Sequence, residues 1–148
     1  MAVEVDNRTG ERVDEAALAG VAEAVVEDCG LGDAEAAIVL VDADEMRALN
    51  RTHRAVDAET DVLAFPIDEA DELPTGLPRL LGDVVVCLPV ARRQAAEAGI
   101  DDGLELATLV VHGTLHLAGL DHETDDGEML RRQDALVERL GGVAWPAS

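Results

Sequence analysis

Three of the four histidines of the chain lie within the eleven-residue segment HGTLHLAGLDH, residues 112–122. His112 and His116 are four residues apart, so on a helix their imidazoles lie on the same face, one turn apart. Gly119 can end that helix in the left-handed conformation, which turns the chain back and brings His122 toward the same point. Three neutral imidazoles with an open fourth position form a catalytic type of zinc site, in which bound water becomes more acidic. The segment therefore predicts a metal site whose ligands are His112, His116 and His122.

The type of metal and the type of chemistry follow from the same segment. A single histidine on an apolar helix is ordinarily a hydrogen-bonded core residue, but three at this spacing satisfy ligand number, helical geometry and chain reversal together. Zinc is the expected metal, one ion per chain, and imidazole ligands also suit nickel, copper and iron. The metzincin protease pattern H-E-x-x-H-x-x-G-x-x-H is matched except at its Glu, which is Gly113 here. Because Gly has no side chain to accept a proton, peptide hydrolysis by the metzincin mechanism is excluded.

The remaining sequence alternates between strand-like and helix-like patterns, which must position this site. The segment 104–117 is apolar on nearly every side, so its helix is expected in the middle of the molecule. The stretch 68–80 is rich in acids and contains two prolines, which is typical of a surface loop. Strands and helices are interleaved, so we expect one α+β domain over 1–148, with a mixed sheet of about four strands packed on helices. Apolar runs predict strands at 2–6, 36–42, 60–66 and 82–88, and helical spacing predicts helices at 13–30, 43–54, 91–99, 104–117 and 125–140.

Composition limits the classes of function. The chain has 148 residues and a formal net charge of -21, which argues against a surface that attracts nucleic acid as a whole. Any polyanion that the protein binds must therefore meet a local positive site. Cys29 and Cys87 are far apart and form no metal or redox motif, so we expect free thiols in a reducing compartment. No signal sequence and no membrane-spanning run is present, and we expect a cytoplasmic protein with no membrane partner.

Three segments together resemble a known family. The motif H-G-x-L-H-L-x-G-x-D-H resembles the signature of the YbeY family, bacterial metal-dependent endoribonucleases that act in ribosomal RNA maturation. Residues 49–66, LNRTHRAVDAETDVLAFP, resemble the second block of the family, and residues 81–87, LGDVVVC, resemble the third. The chain departs from the family pattern at Ala64 and Cys87, where Ser is common, and at Leu120, where an aromatic residue is common. None of these departures removes a predicted metal ligand.

The resemblance implies a function and two catalytic residues. It implies an endoribonuclease specific for single-stranded RNA, acting in 16S rRNA maturation and in ribosome assembly or quality control, with ribosomal RNA, ribosomal proteins or the small subunit as partners and no DNA. Arg54, by its position alone an ordinary cation at a helix end, is implied to bind phosphate and stabilise transition-state charge. Asp83, by its position alone a turn residue at a strand start, is implied to be an acid in the cleft. Water and the ribose 2′-hydroxyl both remain candidates for the nucleophile.

Basic residues near the second block could supply the local positive site. Arg47, Arg51 and Arg54 are spaced so that they form a stripe on one face of the helix 43–54. Salt bridges to Asp44 and Glu45 explain the same stripe.

Two other polar residues have less specific assignments. Asp121, beside His122, is expected either to orient an imidazole or to cap the last helix. His53 is off the metal spacing and is expected to be exposed beside Arg54.

Two alternative functions belong to other classes. One is a metallohydrolase of peptides or small molecules, which needs a base in place of the missing Glu. The other is a non-catalytic ribosome assembly factor in which zinc only holds the last helix to the core. RNA cleavage together with metal content would separate both from an endoribonuclease.

Overall fold

The computed structural model describes residues 3–67, 80–120 and 125–147. Within these residues, strands and helices alternate from residue 3 to residue 66, a fourth strand follows at 80–87, and the elements after it are helices. The elements in chain order are β1 Val3–Asn7, α1 Glu15–Asp28, β2 Glu35–Val41, α2 Ala43–Arg54, β3 Val62–Pro66, β4 Leu80–Cys87, α3 Leu88–Ala98, α4 Asp102–Leu117 and α5 Glu128–Leu140.

The four described strands form one mixed sheet in the order β1-β2-β4-β3. The strands β1, β2 and β4 are parallel to one another, and β3 runs antiparallel to β4. Strand β3 therefore lies at one edge of the sheet. Its register pairs Val62 with Val86 and Ala64 with Val84.

Alternate side chains of β4 fill two separate cores, one on each face of the sheet. Val84 and Val86 pack into the larger core, which includes residues of α1 and α4. Val85 and Cys87 pack into the smaller core with Met46 of α2. Helices α1 and α4 thus cover one face of the sheet, and α2 covers the other.

Helix α4 lies at the centre of the larger core, as its apolar sequence predicts. It contacts α1, α3, α5, β3 and β4. The helix begins where the Asp101 carboxylate accepts a hydrogen bond from the Gly103 amide at 3.0 Å, which caps its N-terminus. Leu106, Val110 and Leu115 along the helix have no solvent exposure. A helix surrounded in this way holds its side chains in fixed positions.

The predicted α+β architecture with its four-stranded mixed sheet is confirmed, and the differences are at element ends. Helix α3 begins at Leu88 instead of residue 91, because Pro89 fits the first turn of a helix. Helix α5 begins at Glu128 instead of residue 125. The predicted loop at 68–80 lies outside the described residues except for Leu80, which begins β4. None of the described helices is both long enough and apolar enough to cross a membrane.

Gly113 sets the distance between α4 and the sheet. A Cβ atom added to this glycine would lie 2.5 Å from Val84 Cγ1 and 3.2 Å from Val62 Cγ2. Both neighbours are β-branched side chains with little rotamer freedom, so they cannot move aside cheaply. The backbone of α4 can approach β3 and β4 this closely only because residue 113 carries a hydrogen in place of a side chain.

We predict that Gly113→Ala lowers the free energy of unfolding by about 1–3 kcal/mol, because the added methyl group overpacks a closed contact. The matched control is Gly20→Ala in α1, where a Cβ would meet no atom within 4 Å. That substitution should raise the free energy of unfolding by about 0.5–1 kcal/mol, since alanine is the better helix former. Urea unfolding of both variants measures the difference, and equal stabilisation by the two substitutions would contradict the close contact.

Candidate functional site

A cleft of about 720 Å³ lies between α4 and the edge strand β3. Helix α5 and the C-terminal end of α2 contribute side chains to its walls. A volume of this size is typical of small-molecule and substrate sites. Its lining consists of Arg54, Thr60, Asp61, Val62, Leu63, Ala64, Pro66, Glu105, Thr108, Leu109, His112, Gly113, His116, Leu130 and Gln133.

His112 and His116 both line this cleft from one face of α4. Their ring centroids are 4.9 Å apart, and the two rings meet edge to face at 73°. Both side chains are partly buried. The spacing of four residues therefore places two imidazoles side by side, as the sequence predicts.

Gln133 of α5 orients the first of these histidines. The His112 Nδ1 atom donates a hydrogen bond to the Gln133 Oε1 atom at 2.7 Å. In the neutral ring, a proton on Nδ1 leaves the lone pair on Nε2. An oxygen acceptor on the second ring nitrogen is the usual arrangement around histidines that bind metals, because it fixes both tautomer and ring orientation.

The donor set in the cleft fits a transition metal as far as the structure describes it. Two neighbouring imidazoles, one held by an amide oxygen, suit zinc. Gly119 has φ +103°, so it adopts the conformation that the predicted chain reversal requires. Residues 121–124, which include the predicted third ligand His122, lie outside the described residues. In the described part of the chain, no group of three His, Cys, Asp or Glu side chains is placed to hold a metal ion.

The position that carries the base in metzincin proteases is closed in this fold. Any side chain at Gly113 would be directed onto Val84 and Val62 at the sheet surface. A glutamate at this position would therefore require α4 to move away from the sheet. The packing at position 113 therefore has no room for an acidic side chain.

Arg54 lines the cleft from the last residue of α2. Its side chain is exposed, and among the described residues it makes no ion pair. A guanidinium group without a protein carboxylate can bind a substrate anion without first breaking a salt bridge. The structure thus places Arg54 in the same cleft as the two histidines.

The other two arginines of the predicted basic stripe are already neutralised. The Arg47 guanidinium binds both Asp57 carboxylate oxygens, at 2.9 and 3.1 Å, and Arg51 lies 3.7 Å from the same carboxylate. Through this contact Arg47 lowers the pKa of Asp57. The expectation of salt bridges to Asp44 and Glu45 needs correction, because the pairing acid follows the helix and Glu45 binds Arg8 instead. Neither Arg47 nor Arg51 lines the cleft.

Asp83 is not brought together with the histidines. It lies in β4 next to Val84, and neighbouring residues of a strand point to opposite faces of the sheet. Since Val84 faces α4, Asp83 faces away from it. Asp83 instead lines a separate cavity of about 230 Å³, with Glu4 and Glu35. The sheet separates this carboxylate from the histidine cleft.

The two less specific assignments are also located. Asp121 lies outside the described residues, so its assignment stays a prediction. At the start of α5, the amides of Gly127 and Met129 donate to the Asp125 carboxylate, each at 2.9 Å. His53 is exposed, as expected, and its ring packs against Phe65 with centroids 4.8 Å apart.

Comparison with known proteins places these features in a family. The sequence model described as Endoribonuclease YbeY matches residues 4–141. The chain belongs to the endoribonuclease YbeY family. A relative named Endoribonuclease YbeY from Desulforamulus reducens is 42% identical over 95% of this chain and 98% of its own length. Another of that name, from Salinispora tropica, is 41% identical over 95% of this chain and 94% of its own length.

A solved structure supports the same assignment of the fold. The solution structure of a Thermotoga maritima protein is similar with a TM-score of 0.65 and 32% sequence identity, covering 95% of this chain and 89% of that one. The family resemblance predicted from the three sequence segments is therefore confirmed. The extent of the match shows that it is not limited to the histidine motif.

Several cleft residues of this YbeY family member are not among those predicted from its sequence. Glu105 and Thr108 lie on the same face of α4 as His112, at seven and four residues before it, so helical spacing from His112 could have found them. Gln133 and Leu130 belong to α5, and no pattern in the sequence links that helix to the histidines. Asp61 immediately precedes β3, and only the position of this strand beside α4 identifies it as a residue of the cleft.

Glu105 is a cleft residue whose carboxyl group lies in an environment that alters its pKa. Burial raises the pKa of its carboxyl group, and the nearby Asp61 carboxylate raises it further. The ionised form of Glu105 is therefore disfavoured in the folded protein. An ionisable residue in such an environment lowers the free energy of unfolding of the protein at neutral pH. Residues of this kind are typical of functional clefts.

We predict that Glu105→Gln raises the free energy of unfolding at pH 7. Because the folded-state pKa is raised, the stability that the carboxyl group contributes is complete below its unfolded pKa, near 4.5, and is lost as the pH rises through the folded value. The gain from the substitution should therefore disappear at about pH 4. Neutralising any acid reduces the repulsion between negative charges in a chain of net charge -21. Glu97→Gln, at an exposed position, is the control for this general effect. Equal gains from both substitutions at pH 7 would contradict the role of burial.

Proposed function

We propose that this protein is a metal-dependent endoribonuclease specific for single strands, acting in the cytoplasm on ribosomal RNA during 16S rRNA maturation and in ribosome assembly or quality control. Family membership and the names of the relatives support RNA as the substrate. The observation that carries the proposal is that His112, His116 and Arg54 line one cleft. The ribosomal setting, with ribosomal proteins or the small subunit as further partners, rests on the resemblance of the sequence motifs to the family.

Arg54 is proposed to bind the phosphodiester that is cut. Its planar guanidinium can donate two parallel hydrogen bonds to phosphate oxygens. Charge increases on these oxygens as the phosphorus is attacked, so the same contacts become stronger in the transition state. In a chain with a net charge of -21, the far field repels RNA, and a cation without a protein carboxylate supplies a local attraction.

His112, His116 and His122 are proposed to hold one zinc ion, or another transition metal that imidazole accepts. When bound, such an ion polarises a phosphoryl oxygen and acidifies a coordinated water. Gln133 fixes the His112 ring through the hydrogen bond to Nδ1. Gly119, with φ +103°, has a backbone conformation that can turn the chain after α4.

Two nucleophiles are compatible with this site, water and the ribose 2′-hydroxyl beside the phosphate that is cut. Attack by the neighbouring 2′-hydroxyl would produce a cyclic phosphate, whereas attack by water would produce a linear phosphate end. Blocking the 2′-hydroxyl beside the scissile phosphate by methylation would prevent the first route and spare the second. Analysis of the product ends from a defined oligonucleotide distinguishes them directly.

The cleft favours catalysis on RNA over the two rival functions. A peptidase of the metzincin type needs an acid at position 113, where packing against Val84 leaves no room. A purely structural metal would not require an accessible cleft of about 720 Å³ beside its ligands. Arg54, which is exposed in that cleft without a carboxylate partner among the described residues, fits an anionic substrate.

The direct test is cleavage of a single-stranded RNA by the metal-loaded protein. Arg54→Ala should lower kcat/KM about 100-fold, because one stabilising donor of the transition state is lost. The matched control is Arg51→Ala, one turn earlier on the same helix and paired with Asp57, which should leave kcat/KM within about twofold. Removal of the metal by a chelator should abolish cleavage, and added zinc should restore it.

Three outcomes would contradict the proposal. Cleavage that persists after complete removal of the metal would exclude metal dependence. Equal losses for Arg51→Ala and Arg54→Ala would show a general electrostatic effect in place of a contact with the reacting phosphate. Absence of RNA cleavage by metal-loaded protein would favour the assembly factor.

A further inference from the structure

The edge strand β3 presents backbone hydrogen-bonding groups to the cleft. In the antiparallel pair with β4, the Cys87 amide donates to the Asp61 carbonyl at 2.9 Å, and the Ile67 amide donates to the Leu81 carbonyl at 3.0 Å. In such a pair, residues alternate between those bonded to the partner strand and those whose backbone groups point away from it. The backbone N–H and C=O groups of residues 62, 64 and 66 therefore point away from β4.

Only one of these outward amides can serve as a donor to a ligand. The Val62 N–H donates to its neighbour, the Asp61 carboxylate, at 2.7 Å. Pro66 has no N–H. The Ala64 N–H and C=O make no hydrogen bond within the described residues. Ala64 thus offers one donor and one acceptor side by side at the edge of the sheet.

This donor and acceptor lie in the wall of the proposed catalytic cleft. Ala64, Val62 and Pro66 line it opposite the face of α4 that carries His112 and His116. A ligand that contacts the histidines can therefore extend along β3.

We propose that the backbone N–H and C=O of Ala64 bind the Watson–Crick edge of an unpaired base next to the phosphate that is cut. Each of the four bases has a hydrogen-bond donor beside an acceptor on this edge: a ring N–H beside a carbonyl in uracil and guanine, and an amino group beside a ring nitrogen in adenine and cytosine. One residue of a strand edge can pair with any of them. In a duplex these groups are already paired, so this contact selects single strands without selecting a sequence.

The composition of the cleft around Ala64 agrees with a base as the occupant. Leu130 of α5 lines the same cleft and is 44% exposed. An exposed apolar side chain in a substrate cleft can cover the face of a planar base while the edge of the base is bound by polar groups. This inference rests on the proposed function, because it takes RNA as the substrate.

An extended peptide is the other ligand that binds strand edges, and β3 suits it poorly. Addition of a peptide strand derives its affinity from a row of main-chain hydrogen bonds. The edge of β3 offers a single amide donor, since Val62 is engaged with Asp61 and Pro66 has none. One donor beside one acceptor matches a base better than it matches a strand.

The experiment removes one hydrogen bond from each side of the contact. The protein variant carries an ester in place of the amide between Leu63 and Ala64, with lactate replacing Ala64, which deletes only the N–H. The control variant carries lactate at Ala58, an exposed residue outside the cleft. The RNA substrates are single-stranded oligouridylates in which one uridine at a time is N3-methylated, which blocks the Watson–Crick edge. Ala64→Pro deletes the same N–H by ordinary mutagenesis.

We expect methylation at one position beside the cut to lower kcat/KM of the wild type about 3- to 10-fold, the effect of one or two neutral hydrogen bonds. The ester at Ala64, and likewise Ala64→Pro, should lose a similar factor on unmodified RNA and should show a smaller methylation penalty. The ester at Ala58 should retain the full penalty. Circular dichroism and thermal melting confirm that each variant is folded, and the two Ala64 variants provide independent readings.

Several results would overturn the inference. A wild type that is indifferent to methylation at every position does not bind the base edge. A methylation penalty of equal size in the wild type and in both Ala64 variants shows that another group binds it. An extended peptide that competes with RNA in the wild type but not in the Ala64 ester would assign the edge to peptide. If the wild type cleaves no RNA, the proposed function fails separately, and the same comparison made on binding affinity still decides the role of Ala64.

Discussion

The contact between α4 and the sheet at Gly113 is the constraint on which the site depends. A hydrogen at this position lets the helix backbone rest on Val84 and Val62, with no space for a Cβ atom. The two histidines flank this point, one residue before it and three after it, so the contact fixes how far they project beyond the sheet. The same contact leaves no space for the glutamate that metzincin proteases carry at this position. One packing requirement thus fixes the geometry of the histidines and excludes one mechanism.

Charged groups and neutral hydrogen-bonding groups lie in different parts of the cleft. The chain has a net charge of -21, and Arg47 and Arg51 are both held by Asp57. Arg54, at the end of the same helix, reaches the cleft without such a partner among the described residues. The edge of β3 presents neutral backbone groups to the cleft. On the α4 side, Glu105 presents a carboxyl group whose raised pKa disfavours its charge. A nucleotide strand needs these two kinds of surface, one for phosphate and one for sugar and base.

Local patterns predicted the parts of the fold and of the site that depend on spacing along one element. The helix at 43–54 and the pairing of His112 with His116 follow from periodicity, and the left-handed Gly119 follows from residue type. Contacts between elements were not predictable in this way. Gln133 lies 21 residues after His112 and meets it only because α5 packs on α4. Asp83 was expected in the cleft, but strand alternation places it on the opposite face of the sheet from Val84.

In the proposed metal site, α4 supplies two of three histidine ligands for one ion. This site is tested most directly by equilibrium zinc titration of tag-free, metal-depleted protein against a chromophoric chelator. We predict one equivalent per chain for the wild type, a loss of affinity of at least about 100-fold for each of His112→Ala, His116→Ala and His122→Ala, and unchanged binding for His53→Ala, whose ring packs against Phe65 outside the cleft. No zinc uptake by the folded wild type, or wild-type affinity in His122→Ala, would contradict the account.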